Sequence, residues 1–124
     1  MTEERYSKLG AMVVDDQAVV RTMLHKMLER LGFGFVEVAA DGTAALDAIR
    51  AADRLPSLIV CDIAMKPMDG LTFLAELRAM PEIHRARIPV VLLTATATGD
   101  LAQRARELRA NGYIVKPVTP EVLA

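Results

Sequence analysis

The sequence predicts an α/β protein, a single doubly wound five-stranded parallel sheet with helices on both faces, and three observations carry that prediction. Short, nearly continuous apolar runs recur at residues 11–14, 58–61, 90–93 and 113–115. Unalternating branched runs suit strands buried on both faces, whereas a half-exposed antiparallel strand would alternate. Between them lie stretches whose apolar residues recur at steps of three and four, as a helix with one buried stripe requires. Finally, 124 residues with 52% hydrophobic content can bury one sizeable core and leave no room for a second ordinary domain.

The elements follow in chain order. Residues 1–8 are a polar, charged tail, and the domain proper occupies 9–124. The first strand, 11–14, runs into Asp15 and Asp16. A helix then places Val20, Met23, Leu24, Met27, Leu28 and Leu31 on a stripe wide enough to cover a sheet, and Gly32 and Gly34 end it. In residues 35–38 Glu37 interrupts the run, which reads as an edge strand with one wetter face. Asp41 caps a second helix carrying Ala45, Ala48, Ile49 and Ala52, and Pro56 closes the loop behind it. The third strand ends on Asp62. A third helix follows Gly70 with Leu71, Leu74 and Leu77 inward, stopping near Met80 and Pro81.

The fourth strand precedes Thr94. Asp100 opens a fourth helix with Leu101, Ala105 and Leu108 inward and Arg104 and Arg106 outward, and Asn111 with Gly112 forms its stop. After the fifth strand and Lys116-Pro117, residues Thr119 and Pro120 start a fifth helix that is cut short at Ala124. Alternating strands and helices with short connections make right-handed βαβ units the economical architecture. There is no repeat, linker or low-complexity segment.

Composition removes several classes of function. Fifteen basic against sixteen acidic residues leave a net charge of −1, so no global field favours nucleic acid or an anionic membrane. No apolar run approaches the roughly 18 residues that a membrane span needs. Cys61 is the only cysteine, which precludes an internal disulfide and fits a reducing, cytoplasmic location.

Polar residues that interrupt the apolar runs sit at the carboxyl ends of strands: Asp15 and Asp16, Asp62, Thr94, and Lys116. In an open doubly wound sheet the ligand crevice lies outside those ends, where the strand order reverses. Three converging carboxylates would repel and raise one another's pKa unless a cation neutralised them. Their donors are all oxygens, which suits a hard ion such as Mg²⁺. Lys116 adds a positive charge useful for holding a multiply charged anion, and Thr94 adds a hydroxyl on the same rim.

Several of these residues also admit a purely structural role. Asp62 alone could equally be a strand-end carboxylate capping a turn; the company of Asp15, Asp16 and Lys116 makes it a site. Asp69-Gly70 is loop and helix-start chemistry. His25 and His84 lie on polar stretches and read as solvated, the arginine clusters at 85–87 and 104–109 as solvated faces, Cys61 as a small hydrophobe, and the methionines as core filler.

The strand-end Asp15-Asp16 pair, the segment from Cys61-Asp62 to Asp69-Gly70, Thr94-Ala95 after Val-Val-Leu-Leu, and Tyr113-Ile-Val-Lys116-Pro117 together resemble bacterial response-regulator receiver domains. The likeness spans nearly the whole chain in the right order. It implies the flavodoxin-like strand order 2-1-3-4-5. It also implies that Asp62 accepts a phosphoryl group from a phosphohistidine on a histidine kinase or histidine phosphotransfer protein. Asp16 would ligate Mg²⁺ directly and Asp15 largely through water, with Asp62 and the backbone carbonyl of Ala64 completing the protein ligands. Lys116 and Thr94 would hold phosphoryl oxygens. Thr94 and Tyr113 would form the switch, altering the face of the fourth helix, fifth strand and fifth helix that meets an output domain, a downstream target or a second copy. Lys116-Pro117 would be a cis peptide.

The chain departs from the commonest receiver pattern in three places: Ala64 stands where the family is often polar, Lys66 shifts Pro67 by one position, and the last helix is short. None removes a metal ligand or the acceptor. By the same resemblance the domain is no turnover enzyme, catalysing only its own phosphorylation and slow dephosphorylation. The alternatives fit less well. A phosphatase with a phosphoaspartate intermediate usually carries an acid-base Asp where this chain has Ala64. A constitutive interaction module would have lost an acidic ligand or the lysine. A flavodoxin-like cofactor binder needs a Ser, Thr or Gly-rich loop where this chain has Asp15-Asp16-Gln17.

Overall fold

The computed structural model describes residues 9–96 and 98–116. Five parallel strands, β1 (Gly10–Val14), β2 (Phe35–Ala39), β3 (Leu58–Asp62), β4 (Val90–Thr94) and β5 (Gly112–Val115), form one sheet in the order β2-β1-β3-β4-β5. The described helices are α1 (Ala18–Arg30), α2 (Gly42–Ala51), α3 (Gly70–Arg78), the one-turn α4 (Ile83–Ala86) and α5 (Gly99–Glu107). The order reverses between β1 and β3, which pair in register from Ala11↔Leu58 to Val14↔Cys61. Asp15 and Asp62 are thereby delivered to the same end of the sheet.

Strand periodicity divides the core into two layers. Met12 and Val14 of β1 face the side covered by α2, α3 and Ala105 of α5, where Leu46, Ile49, Phe73, Leu74 and Leu77 are buried. Ala11 and Val13 face the other side, where Leu24 and Leu28 of α1 pack on Val60 and Leu93. Every residue of β1 is buried, as a central strand covered on both faces demands. At the edge, β2 leaves Glu37 and Val38 exposed, as Glu37 predicted.

Asp41 and Asp69 cap α2 and α3 by accepting the backbone N–H of Ala44 and Thr72, each at 2.8 Å. Gly32 adopts φ 98° beyond the end of α1, a conformation that glycine adopts without steric penalty.

Several local expectations need correction. Ala48 is exposed, and Leu46, two residues nearer the cap, is buried in the core instead. Met23 is partly exposed, so the α1 stripe is narrower than its sequence. The residues around His84, read as loop, make the helical turn α4, too short to generate a periodic signal. The α5 cap is Thr98, whose Oγ1 accepts from the Leu101 N–H at 3.1 Å, with Asp100 already inside the first turn. That helix ends before Asn111-Gly112: Leu108 is its C-cap and Arg109 takes the left-handed conformation at φ 60°. The fifth strand is not buried on both faces, for β5 is the second edge and its Tyr113 and Val115 are exposed. Residues 1–8, the Lys116-Pro117 peptide and the shortened helix expected from Thr119 lie outside the described residues.

Candidate functional site

Asp15 follows directly from β1 and is fixed at three points. Its N–H donates to the Ala39 carbonyl at 3.2 Å, its carbonyl accepts from the Arg21 guanidinium at 2.8 Å, and its Oδ1 accepts the Gln17 N–H at 2.8 Å. The residue is fully buried, and Oδ2 has no hydrogen-bond partner among the described residues. A buried, unpaired carboxylate oxygen is costly, so the site calls for a partner that the described residues do not supply.

Asp62 ends β3 and is 3% exposed. Carboxylate oxygens of Asp15, exposed Asp16 and Asp62 lie within 4.8 Å of one another. Lys116 extends the β4–β5 ladder, its N–H donating to the Thr94 carbonyl at 2.8 Å, and its Nζ reaches Asp62 Oδ1 at 3.1 Å. Burial raises the pKa of Asp15; the Gln17 N–H opposes that rise, the Asp62 charge adds to it, Lys116 opposes and Asp16 adds. One lysine therefore serves three acidic groups, and the orphaned Oδ2 together with the all-oxygen donor set fits a hard divalent cation.

The loop after Asp62 is shaped by a close backbone approach. A Cβ on Gly70 would lie 2.3 Å from the Asp62 carbonyl oxygen and 2.9 Å from Ile63 Cα, so only glycine lets α3 start here. The Gly70 N–H donates to the Ile63 carbonyl at 2.9 Å, closing the loop that holds exposed Ala64. Lys66-Pro67 within it is a cis peptide. Asp69-Gly70 is thus helix-start chemistry as read, but Gly70 also braces the strand end bearing Asp62.

Thr94, nearly buried at the end of β4, turns its hydroxyl into its own loop: Oγ1 donates to the Thr96 carbonyl at 2.8 Å and accepts the Thr96 N–H at 3.3 Å. Tyr113 stands apart on the exposed edge strand, 40% accessible. Sequence reasoning missed Arg21 and the bracing role of Gly70. An Arg one turn into the helix that follows the Asp pair was the available signal for the first.

The other reactive side chains stay out of the site. Burial pushes the Cys61 thiol well above its ordinary pKa, keeping it protonated, and it lies against the Asp62 carbonyl at 3.3 Å. His25 pairs with Glu29 on the outer side of α1 at 3.2 Å, and His84 is exposed.

A parallel sheet that gathers three carboxylates and a lysine at its switch point defines a doubly wound α/β domain built to manage concentrated negative charge. The family model for the response regulator receiver domain matches residues 11–124, and the chain belongs to that family, the receivers of two-component signalling. It is 34% identical over 114 residues to a probable chemotaxis protein CheY of Rhizobium etli, covering 92% of this chain and 85% of that protein. It is likewise 34% identical over 119 residues to a probable transcriptional regulator ycf27 of Guillardia theta, but there the chain spans only 43% of the relative's length. Among solved structures, chemotaxis response regulator CheY4 of Vibrio cholerae superposes with a TM-score of 0.82 at 30% identity, covering 93% of this chain and 92% of that one. No helix among the described residues is long and apolar enough to cross a membrane.

Proposed function

We propose that the chain is a phosphorylation-driven switch in which Asp62 accepts a phosphoryl group from the phosphohistidine of a histidine kinase or histidine phosphotransfer protein. The observation that carries this is the placement of Asp62: a buried carboxylate, ion-paired with Lys116 at 3.1 Å, inside a cluster with Asp15 and Asp16. An Asp62 oxygen attacks phosphorus, the new P–O bond forms as the P–N bond breaks, and the bonding pair stays on the imidazole nitrogen. With its other ring nitrogen protonated, the imidazole leaves neutral. Asp16, Asp62 and the Ala64 carbonyl would hold Mg²⁺, with Asp15 acting largely through water, and the ion would supply charge neutralisation for the transferring group.

Lys116 orients the acceptor before transfer and binds a phosphoryl oxygen after it. Positioning and charge neutralisation supply the catalysis, with no turnover of a separate substrate. The switch begins at Thr94: for its hydroxyl to reach a phosphoryl oxygen, the bonds to Thr96 have to break, so the loop between β4 and α5 moves with it. Tyr113, on the neighbouring edge strand, then changes rotamer and alters the surface presented to an output domain, a separate target or a second copy. The domain, residues 9–124, works in the cytoplasm.

Intact mass after incubation with Mg²⁺ and acetyl phosphate tests this reading. A single phosphoryl adduct, absent with EDTA and absent in Asp62→Asn, is expected. An unmodified wild-type protein with native circular dichroism would instead make the chain a constitutive receiver-like interaction module.

A further inference from the structure

At the opposite end of the sheet from Asp62, beside the amino end of β4, lies an open cleft of about 360 Å³ lined by Arg78, Ala86, Arg87, Arg109 and Asn111. It contains three guanidiniums and no lining carboxylate, and none of the three pairs with an acid among the described residues. The length of β4, about 13 Å at the rise of a strand, separates it from Thr94 and the acceptor.

The lining is built from donors. Arg78 forms the floor, partly buried at the end of α3, with NH1 donating to the carbonyls of Ala86 and Ile88 at 2.9 and 2.7 Å. Its NH2 donates to the Arg109 carbonyl at 2.9 Å and to Asn111 Oδ1 at 3.4 Å. These bonds are to neutral oxygens, so they fix the guanidinium without cancelling its charge. Burial and the neighbouring Arg109 charge both lower the Arg78 pKa, which marks repulsion that an anion would relieve.

Asn111 Oδ1 accepts the Val90 N–H at 2.9 Å, and that donor settles the orientation of the amide. The Asn111 Nδ2 group is therefore a further donor at the cleft. Arg87 and Arg109, both exposed, carry no side-chain hydrogen bond among the described residues. Arg109 occupies a left-handed position where glycine is usual, at a steric cost of about 1 kcal/mol.

A site with several donors, three positive charges and no acidic side chain complements a ligand that has only acceptors and more than one negative charge. Planar guanidiniums favour phosphate oxygens in that role. The cleft volume lies at the lower end of the range for small-molecule sites and exceeds the needs of a single carboxylate. We infer that the Arg78-Arg87-Arg109 cleft is a binding site for a small polyphosphate-bearing anion, distinct from the phosphoryl acceptor.

Pyrophosphate is the probe, titrated calorimetrically into the whole chain in EDTA at low ionic strength, with sodium chloride of matched ionic strength as the control. Saturable binding at one site is expected, weakened about tenfold or more in the Arg87→Gln/Arg109→Gly double variant. Glycine suits the left-handed turn, and Arg87→Gln alone, expected to weaken binding in the same direction, repeats the test should the double variant fold poorly by circular dichroism. Lys116→Ala is expected to bind pyrophosphate as the wild type does. No saturable heat, equal binding by the arginine variants, or loss of binding in Lys116→Ala would each overturn the inference, the last by moving the anion to the acceptor site.

Discussion

Asp15 carries the sharpest conflict at the level of single residues. It is held in a fully buried place with one oxygen bonded, the other without a hydrogen-bond partner among the described residues, and two more carboxylates close by. Because its folded-state pKa is raised above 3.8, the folded protein binds the proton more tightly than the unfolded chain. Its contribution to stability therefore falls as pH rises from 3.8 through the raised folded value, and stays flat above it. Urea unfolding in EDTA across that interval is expected to show this slope in the wild type and to lose it in Asp15→Asn. Gly70→Ala makes a different demand, since the new Cβ meets backbone rather than a movable side chain. A loss of about 3 kcal/mol in urea unfolding is expected, with reduced Asp62 phosphorylation in the fraction that folds.

These two residues differ in how visible they were. Asp15, Asp16, Asp62, Thr94 and Lys116 all terminate or closely follow apolar runs, so strand reading alone placed them at the carboxyl ends of the strands. Gly70 could be read as a turn residue, but its closeness to the Asp62 carbonyl depends on the path of a loop with no periodicity. The direction of the Thr94 hydroxyl, bonded to Thr96, is likewise a rotamer and leaves no trace in residue order.

Secondary-structure elements show the same division between local and distant causes. The caps of α2 and α3 were legible because Asp41 and Asp69 act on N–H groups three residues away. The cap of α5 is equally local, yet Asp100 drew attention from Thr98 two residues earlier. Thr98→Ala is expected to lose about 1 kcal/mol, read as a lower thermal midpoint, whereas Asp100→Ala, which removes only a first-turn charge, loses less.

Arg78 was not legible, because its bonds tie α3 to α4, to the start of β4 and to the turn after α5, up to 33 residues away. Arg78→Ala is expected to cost about 3 kcal/mol in urea unfolding by leaving several carbonyls without their donor. Arg78→Lys recovers little of this, since one ammonium cannot span the same fork of oxygens. The exposed face of β5 was misread for a related reason: a run of apolar residues does not say whether its strand is central or at an edge.

At the scale of the molecule, sheet order converts scattered strand ends into one electrostatic problem. β1 and β3 are neighbours although α1, β2 and α2 lie between them in sequence, and that adjacency places Asp15 against Asp62. Lys116 arrives from β5 at the far edge and pairs with Asp62, leaving Asp15 Oδ2 without a partner among the described residues. On the proposed reading, Asp15 burdens the fold without a cation and would gain from one, so stability and metal affinity would place opposite requirements on this residue. Asp15→Asn removes a buried charge while its side-chain oxygen can still accept the Gln17 N–H. In EDTA at neutral pH its thermal midpoint is expected above that of the wild type. Mg²⁺ at one hundred times its dissociation constant stabilises a folded protein that binds it by about 2.7 kcal/mol, which raises the wild-type midpoint, whereas the variant, lacking one anionic ligand, responds far less at the same concentration. The two thermal curves should cross in order between EDTA and saturating Mg²⁺. A wild-type midpoint indifferent to Mg²⁺ would show that the acidic cluster tolerates its own repulsion without a cation, and the Mg²⁺-dependent part of the proposed mechanism would fall with it.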